Sequence, residues 1–172
     1  MRTIGLSGGD LVVELGTVND FSLFFQCVND LTKWKYPDED WNLLMDRLYK
    51  RYLRLEELTL TKEKMNRVRD LFSIVPNTSI YWDNETTASR NKSWLNTNQP
   101  TLSDIFHRYF EAFLECAESA ELNYHLFNSH QGYEYEAVKV VISDLPWFIE
   151  DKNRPLEQYD ALGPDDMPFW LR

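Results

Sequence analysis

Cysteine, glycine and histidine are scarce in this chain, and long apolar runs are missing. Two cysteines in 172 residues, Cys27 and Cys116, cannot build the disulfide framework that small secreted scaffolds use in place of a large core. Each sits on an apolar helical pattern, so both read as reduced core thiols. The six glycines form no phosphate-cradling loop. Gly5, Gly8 and Gly9 lie close together, but the Lys-Ser/Thr ending that such a loop needs does not follow. His107, His125 and His130 lack the spacing of a helical zinc pair and no CxxC accompanies them, which argues against a metal site. No GxSxG appears, and neither cysteine carries a local nucleophile signature. No cofactor is implied. No apolar stretch approaches membrane-spanning length. Met1-Arg2-Thr3-Ile4-Gly5-Leu6 runs straight into a glycine turn without a leader pattern, which gives the expectation of a cytoplasmic protein.

Basic residues are also under-represented. Lys and Arg total 18 against 28 Asp and Glu, a net charge of −10. Such a chain repels nucleic acid and anionic membranes, and attracts a basic partner. The imbalance is regional. Residues 1–102 hold 14 acids and 13 bases, a net of −1, whereas residues 103–172 hold 14 acids and 5 bases, a net of −9. A regional excess gives the field a direction.

Apolar and aromatic residues are plentiful. At 43% hydrophobic and 15% aromatic, the composition predicts a folded globule, and the length suits one domain with a sizeable core. Six Trp, nine Tyr and ten Phe exceed what a small core needs, so some are expected at an interface.

The chain opens with two short strand patterns, Thr3–Ser7 and Leu11–Leu15, with Gly8-Gly9 suited to the hairpin turn between them. Thr17 and Asp20 form a capping box ahead of Phe21, Phe24, Phe25, Val28 and Leu31 at helical spacing. Pro37 with Asp38, Glu39 and Asp40 reads as the start of a second helix, with Trp41, Leu44, Met45, Leu48 and Tyr52 as its buried stripe. A third helix is expected from Thr61, stapled by Leu60 and Met65, with Val68, Leu71, Phe72 and Val75 facing inward. This pair carries Arg47, Lys50, Arg51, Arg54, Lys62, Lys64, Arg67 and Arg69, but acids are interleaved, which suits a solvated face better than a nucleic-acid surface.

Residues 76–100 break the pattern: twelve of these 25 are Asn, Ser or Thr. A long loop with weak local order is expected there, with Ile80-Tyr81-Trp82 as its only strand-like piece. Its sequons at Asn77, Asn84 and Asn91 read as a by-product of that composition. Thr101 to Ala120 is the best-written helix, with Thr101 as cap and Asp104 three residues on. Leu102, Phe106, Tyr109, Phe110, Phe113 and Ala117 make its apolar stripe. Asp104, Arg108, Glu111, Glu115 and Glu118 make a second, acidic one. A strand around Tyr124–Phe127 is possible, and Tyr133–Ile142 is the strongest strand pattern. The remainder, 147–172, is irregular and rich in acids and bulky aromatics, and reads as a tail pinned to the body. The order of elements predicts an α+β fold: a single domain of about four main helices packed with a small, mainly antiparallel sheet that pairs the N-terminal hairpin with the C-terminal strand.

Carboxylate pairs such as Glu134 and Glu136 could in principle serve a hydrolase, but 28 acids make such pairs common by chance. The whole-chain profile, together with Tyr135-Glu136-Ala137-Val138-Lys139-Val140-Val141-Ile142-Ser143-Asp144-Leu145-Pro146-Trp147, resembles immunity proteins of bacterial toxin–immunity pairs, those of contact-dependent growth inhibition systems above all. The resemblance implies a non-enzymatic inhibitor that binds one cognate basic toxin domain, of nuclease type, and blocks its active site. A nuclease must be basic to hold phosphates, so an acidic inhibitor can match it. The candidate partner-binding residues are Asp144, Glu150, Asp151, Asp160, Asp165 and Asp166, with Trp147 and Trp170 as aromatic anchors. A non-catalytic adaptor subunit of a bacterial complex is the alternative from another class.

Overall fold

Antiparallel pairing among four strands organises the molecule. The computed structural model describes residues 2–82, 92–127, 136–143 and 162–171. Strand β1 (Thr3–Gly8) pairs with β2 (Leu11–Thr17), and the short β3 (Tyr52–Arg54) pairs with β4 (Glu136–Ile142). The sheet order is β2-β1-β4-β3, so the two ends of the sequence meet at its centre. The expected hairpin and C-terminal strand are both present, and the fold is α+β. Strand β3 is not expected from the sequence pattern. Tyr52 fits a helix stripe by spacing, but it sits in register with Lys139 of β4.

The hairpin turn falls one residue later than expected. Gly8 pairs with Leu11, so Gly9 and Asp10 make the turn, and Gly9 adopts φ 56°. The position of Gly8 is set by a helix rather than by the turn. A Cβ there would overlap the backbone of Cys116. Replacing Gly8 by Ala should therefore destabilise the fold by about 1–3 kcal/mol through overpacking, read as a lowered urea midpoint with the slope unchanged.

Among the described residues there are four α-helices, of which the first and last lie against the sheet and the two between them pack on other helices. Helix α1 (Val18–Lys35) begins with the expected capping box: the Thr17 hydroxyl accepts from Asp20 N–H, and the Asp20 carboxylate accepts from Thr17 N–H. Helix α2 (Leu58–Ser73) starts three residues before Thr61, whose hydroxyl instead donates to the Glu57 carbonyl at 2.6 Å. Leu60 is exposed and makes no staple. The helix expected from Thr101 is broken at Phe106, giving a one-turn α3 (Leu102–Ile105) and the long α4 (His107–Phe127). Thr101 does cap it, accepting from Asp104 N–H. Helix α4 runs through the expected strand at 124–127. Between α1 and β3, helix forms only from residue 42, as a π-helical turn over Leu43–Leu48. The acids after Pro37 do not open it: Asp40 accepts from Asn42 N–H at 2.8 Å, and Glu39 reaches across to α2.

One core joins these elements. Phe24 meets Phe25, Phe72, Phe106, Tyr109 and Phe110, with centroids 4.8–6.0 Å apart. On the sheet, Ile4, Leu6, Val138, Val140 and Ile142 lie in register on the face that takes α4. The opposite face carries Thr3, Ser7, Lys139 and Tyr52, which are also buried. β4 is thus central, as its apolar second half predicts. The expected Tyr/Glu-alternating edge at 133–135 lies outside the described residues.

Candidate docking surface

The aromatic proposed as an anchor near the C-terminus turns out to be core. Trp170 is fully buried. Its ring meets Phe21 and Tyr49 edge-on at 5.1 and 5.4 Å, and its indole N–H donates to the Tyr49 carbonyl at 3.0 Å. Arg2 donates to the Trp170 carbonyl. A side chain with no accessible surface cannot anchor a partner, so Trp170 leaves the candidate set. It does hold the described C-terminal segment, residues 162–171, to Phe21 and Tyr49. Asp165 and Asp166 are exposed and stand in a tight turn with φ 57° and 55°, closed by Gly163 N–H to the Met167 carbonyl. Asp144, Trp147, Glu150, Asp151 and Asp160 lie outside the described residues, as does Glu134.

The basic surface is matched internally. Arg67 forms a two-pronged pair with Glu39, and Lys64 lies 3.5 Å from the same carboxylate. Arg69 pairs with Glu111 at 2.9 Å, Lys62 with Glu121 at 2.6 Å, Arg47 with Glu57 at 3.2 Å and Arg51 with Asp46 at 3.6 Å. Lys64 and Arg67 also cover the Trp41 ring, at 4.5 and 5.4 Å from its centroid, and Arg67 stacks over Tyr36 at 4.3 Å. The Arg67 guanidinium holds the Glu39 carboxyl below its ordinary range. That pair therefore contributes at neutral pH and is lost as pH falls through the carboxylate range. Cations engaged this way are not free to hold phosphates, which agrees with the solvated-face reading of α2.

The acids of α4 divide by position. At about 100° per residue, Arg108, Glu111, Glu115, Glu118 and Leu122 fall on one stripe. Its α2 side is neutralised by Arg69, while Arg108 donates to the Glu14 carbonyl at 2.9 Å. Glu115 and Glu118 are exposed and make no ion pair among the described residues. Leu122, one further turn along, is 62% exposed. The hairpin turn abuts the other side of this stripe, where Asp10 N–H donates to the Ser119 hydroxyl. The unmatched negative charge of the described residues thus includes the outer face of α4 and the turn at Asp165-Asp166.

Reactive groups are quiet. Burial pushes the Cys27 and Cys116 thiols up to about 12, with the Asp30 and Glu115 charges adding to it. Both stay protonated at neutral pH and are poor nucleophiles. Among the described residues, no group of three or more His, Cys, Asp or Glu gathers as a metal site. No described helix is long and apolar enough to cross a membrane. No family model, curated protein or solved structure matches this chain.

Proposed function

We propose that this protein is an immunity-type inhibitor that binds a cognate basic toxin domain of nuclease type and occludes its active site. The observation that carries the reading is the disposition of charge. Arg47, Arg51, Lys62, Lys64, Arg67 and Arg69 are each paired with an acid, while the sequence excess of −9 falls in residues 103–172. Such a surface favours a cationic partner and disfavours nucleic acid itself. It gains most in the encounter step, where complementary fields raise the association rate.

The test uses the domain encoded beside this chain in its genome. Co-expression should protect cells from that domain, and the two should co-purify. The association rate should fall about tenfold or more from low to physiological salt, because exposed charges are screened over about 8–10 Å there. A rate insensitive to salt would remove the steering argument. A neighbouring product that is harmless alone and joins a constitutive assembly would favour the adaptor reading.

A further inference from the structure

A single buried carboxylate ties the Asn-rich segment to the body. Asp20 is 3% exposed at the start of α1. Beyond its capping bond to Thr17 N–H, it accepts from the Ser93 hydroxyl at 2.5 Å and from Trp94 N–H at 2.9 Å. Among the described residues, these are the only hydrogen bonds from 92–96 to the body. The other bonds of this stretch are local, Leu95 N–H to the Ser93 hydroxyl, Asn98 N–H to the Asn96 side-chain carbonyl and Gln99 N–H to the Asn96 backbone carbonyl. Residues 97–100 are held separately, by Asn77 to the Thr97 and Pro100 carbonyls. Leu95 alone contributes apolar packing on the core, and Trp94 stays 45% exposed.

A buried donor without a partner among the described residues lies against the same end of α1. The Tyr109 ring stacks on Phe24 at 4.8 Å and approaches Phe21 at 6.0 Å. Phe21 follows Asp20 directly, and Phe24 lies one turn further along the same face, so the ring rests on the first turn of α1. The Tyr109 hydroxyl is buried and makes no hydrogen bond among the described residues. Burial, then the charge of Asp20, pushes its pKa well above the usual phenol value. An unmatched buried hydroxyl costs free energy, and that cost attaches to the closed strap.

We propose that residues 92–96 form a latched strap with two states, in which Ser93 and the Tyr109 hydroxyl compete for the Asp20 carboxylate. Closed, Asp20 holds Ser93 and Trp94 while Tyr109 goes without. Open, Tyr109 donates to Asp20 in place of Ser93, and Trp94 is released. Asp20 is never orphaned, because the Thr17 N–H and the positive end of the α1 dipole remain with it. The core aromatics keep their contacts, so opening lies well below global unfolding.

Amide exchange on the full chain tests this, read at Trp94 and along α4. Ser93→Ala should speed exchange at Trp94 by about tenfold to a hundredfold, the range set by losing a bond to a charged group, with α4 unchanged. Tyr109→Phe removes the competitor and should slow exchange at Trp94 several-fold. The opposite signs separate competition from a merely structural role, which would make both variants faster. The proposal is overturned if Tyr109→Phe leaves Trp94 exchange unchanged or faster. It is also overturned if Ser93→Ala has no effect or raises exchange equally along α4.

Discussion

Replacing Trp170 by Ala should destabilise the protein by about 3–5 kcal/mol, the cost of truncating a fully buried aromatic in a core that cannot collapse around the gap. Its ring closes an aromatic set with Phe21 and Tyr49, and its N–H donates to the Tyr49 carbonyl, a part-buried bond that the change would remove. Typical domains have only about 5–15 kcal/mol in all, so the variant should unfold at a markedly lower denaturant concentration and temperature. Trp170→Phe keeps most of the volume and loses the hydrogen bond, and should cost about 1–3 kcal/mol. Denaturant melts of the three proteins give the ranking directly. Equal midpoints would show that Trp170 does not hold the C-terminal segment to the body. The same variants separate folding from docking: at temperatures where Trp170→Phe is fully folded, partner affinity should match the parent.

Reversing charge on the exposed acids should do the converse. Glu115 and Glu118 on α4, and Asp165 and Asp166 in the C-terminal turn, make no ion pair among the described residues. Changing Glu115 or Glu118 to Lys should move stability by about 0.5 kcal/mol or less per site, as for surface positions away from special features, whereas Lys at Asp165 or Asp166 adds backbone strain, because both stand at positive φ, 57° and 55°. On the proposed function, the four together should lower the association rate by about tenfold to a thousandfold and flatten its salt dependence. Making the pairs separately locates the contact. A fall confined to Glu115→Lys/Glu118→Lys places it on α4, and a fall confined to Asp165→Lys/Asp166→Lys places it at the tail. If the fourfold variant binds with the parent's rate and salt slope, neither face meets the partner. Control reversals at Glu39 and Glu111 are expected to behave differently, because each would place a cation beside Arg67 or Arg69 and lower the melting temperature.

Local signals read true where the interaction spans a few residues. The capping box of Thr17 and Asp20 and the cap at Thr101 depend on groups three residues apart, and all formed. The inward stripe Met65, Val68, Leu71 and Phe72 is set by helical spacing alone, and it is buried. The central position of β4 followed from its continuous apolar run. Two readings failed because a distant group outbid a local one. Glu39 suits a helix N-terminus, but Arg67 and Lys64, some 25 residues on, hold it elsewhere. Tyr52 fits a helical stripe, but β4 supplies a strand partner from the far end of the chain. Residues 124–127 have strand propensity, yet α4 propagates through them, since each added helical residue gains a bond without a new nucleation cost.

The candidate site divides in the same way. Composition and charge counting placed the acid excess in the C-terminal 70 residues, and the period of α4 put Glu115 and Glu118 on its outer stripe. Both are properties of the sequence by itself. Which acids remain unmatched was decided by tertiary structure, because Glu111 and Glu121 lie on the same helix as Glu115 and Glu118 but fall within reach of Arg69 and Lys62. Trp170 could be read as anchor or core from sequence; only the pocket formed by Phe21 and Tyr49, about 120 to 150 residues away, buries it. Asp20 gave its local role as a helix cap, but nothing in the sequence paired it with Ser93 or set the Tyr109 ring on Phe21 and Phe24 of the same helix. A contact between residues more than seventy positions apart leaves no periodic trace. It exists only once the core has brought α1, the Asn-rich segment and α4 to one point.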